Sequence, residues 1–159
     1  MKVTISVGGR FHAFYLAKQL LKRGYLDKLI TSYPKFEVVK YGIPKNKIDS
    51  VLIKEILERG WKKIPRFARI EWNPQYFIHE IYDKVASKKI RKTDIFVGWS
   101  SFTLHSLRKA REKGAIIVIE RGSSHIIYQN DILKEEYEKF GLKPKLPHQK
   151  IIEKELKEY

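Results

Sequence analysis

The chain has 159 residues, with 33 lysines and arginines against 18 acidic residues, a net charge of +15. That length suits one domain with one core, and a 43% hydrophobic content excludes a disordered chain. With no cysteine, a disulfide framework and thiolate metal sites are excluded, and a reducing, cytoplasmic compartment fits. No apolar run approaches the roughly 20 residues that span a bilayer, and with the first strand starting almost at once no signal peptide is expected. The expectation is a soluble protein, attached at most to the inner face of a membrane. The basic excess concentrates in residues 35–92 and asks for an anionic partner: nucleic acid, anionic lipid or a phosphorylated substrate.

In chain order, Lys2–Val7 reads as a strand and Phe11–Arg23 as an amphipathic helix stopped by Gly24. Leu26–Tyr33 is a second strand ended by Pro34, and Ile48–Ile53 a third, followed by a helix over Lys54–Ile64. Asn73 caps a long helix with Pro74 in its first turn; Phe77, Ile78, Ile81, Tyr82, Val85 and Ala86 form its apolar face. Asp94–Gly98 is the fourth strand, and a helix runs from Ser101 to Lys113. Ala115–Ile119 is a continuous, mostly β-branched run, the pattern of a parallel strand covered on both faces. A helix over Ser124–Phe140 follows, then the extended Lys143–Pro147 and the start of a last amphipathic helix. Strands alternating with helices predict an α/β, doubly wound parallel sheet with right-handed crossovers, Rossmann-like, in the order 3-2-1-4-5. Residues 1–142 would form that domain. Residues 143–159 would be a linker and a helix, cut in mid-course, leading to a further domain.

Ligands of open parallel sheets bind at the carboxyl ends of the strands. The order 3-2-1-4-5 brings three turns to one crevice there: Gly8, Gly9, Arg10 and His12; Trp99, Ser100 and Ser101; and Glu120, Arg121, Gly122, Ser123, Ser124 and His125. The last turn crowds both charge signs, two hydroxyls and an imidazole together. A serine there also serves as a helix cap. Gly8-Gly9 fits either close backbone approach to a phosphate at a helix start or a tight turn needing φ > 0. The G-x-G-x-x-G and Walker patterns are absent, and no acidic residue ends the second strand, which argues against NAD. The five histidines show no metal-ligand spacing and there is no D-x-D, so no metal is expected. Trp61, Lys62, Lys63, Arg66, Arg69 and Trp72 make a basic aromatic stretch. It reads as an anionic-membrane contact or as a core-facing helix with a solvated lysine face. As a nucleic-acid site it is weaker, because no helix-turn-helix or stacking motif accompanies it.

SVGGRFHAFYLAKQLLKRG near the start and VIERGSSHIIYQNDILKEEYEKFG near the end resemble the N-terminal domain of family-4 (group 1) GT-B glycosyltransferases. The resemblance covers essentially the whole chain, and ERGSSH followed by IIEKELKEY is its more specific part. It implies the acceptor-binding half of a retaining glycosyltransferase, with a sugar or lipid-linked acceptor. A separate C-terminal donor domain would hold a nucleotide-diphosphate sugar, used as substrate and without a cofactor. Gly8 and Gly9 would face the donor phosphates. His125 or Arg121, with Glu120 beside them, would fill the catalytic place near the sugar. The alternative is a non-catalytic basic module for nucleotides or nucleic acid.

Overall fold

The computed structural model describes residues 1–65, 74–144 and 146–159. Five strands, β1 (Val3–Val7), β2 (Leu26–Thr31), β3 (Ile48–Ser50), β4 (Ile95–Trp99) and β5 (Ile116–Glu120), form one sheet in the order β3-β2-β1-β4-β5. Every pairing is parallel, as the strand–helix alternation predicts. The connections carry α1 (Ala13–Lys22), α2 (Lys35–Val39), α3 (Ile53–Lys63), α4 (Gln75–Ser87) and α5 (Leu104–Glu112); α6 (Ile126–Lys139) and α7 (Gln149–Glu158) follow β5. β1 is central and buried along its whole length, with Ile5 and Val7 fully enclosed. Phe14, Ala13 and Ala17 of α1 pack against the same core, one face of a helix with 3.6-residue periodicity. Tyr82 of α4 reaches the sheet, its hydroxyl donating to the Ile30 carbonyl at 3.2 Å and meeting Ser6 Oγ at 3.3 Å. Burial pushes that phenol well above its ordinary pKa.

Three expectations from hydropathy alone do not hold. The Ala115–Ile119 run is not covered on both faces, because β5 is the sheet edge: Ile117 and Ile119 pack on the core, while Ile116 is 66% exposed. On α4, Phe77 and Ile81 face solvent, and His79 and Asp83 are buried beside Ile78, Tyr82 and Ala86. On α3 the buried residue is Lys54, a charge that periodicity alone assigns to solvent, and Ile56 is exposed. The Asn73 cap lies outside the described residues, and Pro74 occupies the cap position of α4.

α7 folds back on α5 and α6 and buries Ile151, Lys154, Glu155 and Glu158. Its contacts are ionic as much as apolar. Lys154 Nζ pairs with Glu80 Oε1 at 2.7 Å and Asp83 Oδ2 at 3.2 Å. Asp83 also accepts from the amides of His105 and Ser106 at 2.8 and 3.0 Å, and Glu158 accepts from those of Thr103 and Leu104 at 2.9 and 3.1 Å. The four free donors at the start of α5 are thus satisfied by carboxylates from α4 and α7. Asp83→Ala would leave Lys154 with one partner and two amides with none. A loss of about 3–5 kcal/mol is expected, read by urea denaturation.

Candidate functional site

The carboxyl ends of β1, β4 and β5 open into a cleft of about 1170 Å³, walled on the far side by α3 and α4. Of the predicted residues, Gly8, Gly9, Arg10, His12, Trp99, Ser100, Ser101, Glu120, Arg121, Gly122 and Ser123 line it. Ser124 and His125 are not among its lining residues. Ser124 contributes its carbonyl to Arg121, and His125 stands at the cap of α6 with its ring 5.2 Å from that of Tyr159. Neither serine caps α6 by a side-chain bond; Ser123 Oγ donates to Gln129 Oε1 at 3.1 Å.

The glycines of the first turn are explained by packing and not by backbone sign, since neither has positive φ. A Cβ on Gly8 would lie 2.2 Å from Phe102 Cδ1, and one on Gly9 3.0 Å from Phe11 Cε2. Two aromatic rings occupy the space that a side chain would take. Thr31 and Ser32, at the end of β2, donate to the carbonyls of Gly9 and Gly8 at 2.9 and 3.2 Å and fix the turn from below. Arg10 leans over Tyr41 and donates to its hydroxyl at 2.6 Å, which raises the guanidinium pKa further.

The groups best placed for proton transfer are His12 and Glu120. His12 Nε2 and Glu120 Oε2 are 3.3 Å apart, and the imidazole lies against Trp99, ring centres 5.0 Å apart. Both side chains remain accessible. An imidazole oriented by a carboxylate and open to solvent is the arrangement of a general base with its positioning partner. Arg121 is differently employed. It pairs with Glu155 of α7, donates to Gln129 Oε1 at 2.9 Å and to Ser100 Oγ at 3.3 Å, and also to the Ser124 carbonyl. Its charge is spent on tying the β5 turn to α6 and α7. Ser101 is tied in the same way, its hydroxyl to Glu155 and its amide to Glu158 at 2.7 Å.

Hydropathy gave no sign of the opposite wall, made by Lys54, Glu55, Glu58 and His79. Lys54, 6% exposed, pairs with Glu58 at 2.7 Å and Glu55 at 3.6 Å, and Glu55 accepts from Ser32 at 2.7 Å. The i,i+4 spacing of Lys54 and Glu58 was a visible signal, but the same spacing is common on solvated helix faces. His79 packs on Phe102, ring centres 4.0 Å apart. Burial, with Lys154 and Lys54 nearby, lowers its pKa to about 3, so it stays neutral. Behind it, Glu80, Asp83 and His105 bring ligand-type atoms within 4.8 Å of one another. Lys154 supplies the positive charge of that set. Burial pushes the Glu80 carboxyl up, but Lys154 and His105 outweigh it and hold the group below its usual range.

Within the basic aromatic stretch, Trp61 is half-buried, Lys62 lines the cleft and Lys63 is exposed. Arg66, Arg69 and Trp72 lie outside the described residues. Among the described residues, no helix is long and apolar enough to cross a membrane. No family model matches the chain, and no curated protein or solved structure matches it.

Burial raises the Glu158 carboxyl to about 7, outweighing its amide donors. A carboxyl raised in the folded state binds a proton there before it does in the unfolded chain. Its contribution is therefore present below about pH 4.5 and lost as pH rises toward 7. His79 acts with opposite sign, costing stability as pH falls from about 6.5 toward 3. Comparing Glu158→Gln with wild type isolates the first effect. The stability difference between them is expected to shift in favour of the variant between pH 4.5 and 7, read by thermal melts across that range.

Proposed function

We propose that this chain is the acceptor-binding half of a retaining glycosyltransferase, working with a second domain that holds a nucleotide-diphosphate sugar. The observation that carries the reading is the meeting of His12 and Glu120, from two different strand ends, in a cleft at the point where the strand order reverses. The resemblance of SVGGRFH and ERGSSH to family-4 enzymes supplies the reaction class. His12 takes the proton of an acceptor hydroxyl while Glu120 holds the ring and offsets its new charge. The bond from the anomeric carbon to the diphosphate breaks, its electron pair leaves with the diphosphate, and the acceptor oxygen forms the new bond. Much of the rate would come from positioning that oxygen against the anomeric carbon. The acceptor is anionic or lipid-linked, in keeping with a net charge of +15. Cytoplasmic placement with peripheral attachment to the membrane belongs to the same proposal.

The test is sugar transfer by the chain joined to its donor domain. His12→Ala and Glu120→Gln are expected to lower kcat/KM by about 10²-fold or more with melting temperature little changed, since both side chains are accessible. If His125→Ala carries that loss and His12→Ala none, the proton-transfer role passes to the place that the resemblance assigns. Residues 1–159 alone are expected to fold and to transfer no sugar. Transfer by them from any nucleotide sugar would refute the division into two halves.

A further inference from the structure

Among the described residues, two that are not glycine adopt the left-handed backbone region: Ser101 and Phe11, the latter at φ 40°. That conformation is strained for a bulky residue, and burial of the ring does not compensate for it, because Phe11 is 56% exposed. A phenylalanine that is both strained and solvated is poorly explained by folding. Its neighbours hold it there. Arg10 on one side is fixed by Tyr41, and His12 on the other by Glu120 and Trp99. Gly9 has no Cβ to block the ring, which lies over it. The loop is pinned at both ends, and the ring between the pins lines the cleft. The rings of Trp99 and Phe102, which also line it, are buried. Phe11 leaves its ring surface open in the cleft.

We propose that Phe11 is a stacking clamp for a pyranose ring, holding it so that a hydroxyl reaches His12. The inference rests on the glycosyltransferase reading and deepens it. A pyranose offers an apolar face of C–H groups and a rim of hydroxyls. A bare aromatic ring next to an imidazole–carboxylate pair is complementary to both. The position within a cleft favours a small ring over a membrane surface, which would need a contiguous apolar patch on a convex face.

The strain makes the test discriminating. Phe11→Gly removes the ring and adopts the same backbone freely, so the melting temperature should hold or rise by about 2–4 °C. Binding of the methyl α-glycosides of glucose, galactose and mannose is followed through the amide resonances of Gly9, His12 and Glu120. It should weaken about tenfold or more in Phe11→Gly, and persist in Phe11→Tyr, which keeps the ring. A melting temperature lowered by several degrees in Phe11→Gly would make the ring a packing element and overturn the clamp. Equal glycoside binding by wild type and Phe11→Gly would overturn the clamp and leave the sugar reading standing. No glycoside binding by wild type, with uridine or adenosine diphosphate bound through Phe11 instead, would overturn the clamp and the assignment of this cleft to the acceptor. Loss of anionic-liposome binding in Phe11→Gly, with glycoside binding intact, would reassign the ring to the membrane.

Discussion

The cleft depends on how the start of α5 is held. A helix begins with amides that have no partner of their own, and here two carboxylates from elsewhere in the chain supply them: Asp83 from α4 and Glu158 from α7. Lys154 sits beside both, pairing with Asp83 and tempering the Glu158 charge. With that end fixed, the Trp99–Phe102 turn has little freedom. Thr103 lies so close to β4 that a Cβ on Gly98 would meet its hydroxyl at 2.0 Å. Phe102 is driven into the space left by Gly8. The turns of β1 and β4 are therefore locked together through one ring, and the lock is set from outside the sheet by ion pairs.

This division of labour explains which parts of the chain were legible from sequence. β1, β2 and β4 announce themselves by apolar runs between turn residues, and the parallel order follows from alternation with helices. The crevice was equally legible, since strand ends at a reversal of order must converge. Side-chain partners were not. Lys54 and Asp83 look like surface charges in a helical pattern, yet both are buried: Lys54 pairs with Glu58 and Glu55 of its own helix, Glu55 in turn accepting from Ser32 of a distant segment, and Asp83 meets α5 and α7. Hydropathy periodicity treats every charge as solvent-facing and has no means of seeing a buried pair. The Ala115–Ile119 run erred in the opposite direction. Apolar content suited a strand with two covered faces, and its edge position leaves one open.

The same reasoning separates the members of the polar turn after β5. Its six residues look equivalent in sequence, all crowded on one bend. In three dimensions Glu120 points to His12, Arg121 to Glu155, and His125 to Tyr159. A guanidinium with four acceptors and little exposure is a strut. An exposed imidazole on a ring has freedom to move, and a carboxylate on an imidazole is prepared for proton transfer. Chemical crowding pointed to the edge of the cleft; the partners separate the residues within it.

Charge balance bears on which kind of ligand such a cleft would suit. Its lining holds Arg10, Lys54, Lys62 and Arg121 against Glu55, Glu58, Glu120 and Glu155, so the chain's large positive excess is not concentrated there. Two of those cations are already neutralised, Lys54 by Glu58 and Arg121 by Glu155. A diphosphate needs cations or amides that are free to face it, and at Gly8 and Gly9 two aromatic rings fill the close approach that such a group would use. Hydroxyl groups make the opposite demand. They pair well with carboxylates and neutral imidazoles that need not surrender an existing ion pair. A charge-balanced cleft with a His12–Glu120 pair therefore suits a hydroxyl-bearing ligand better than a nucleotide diphosphate.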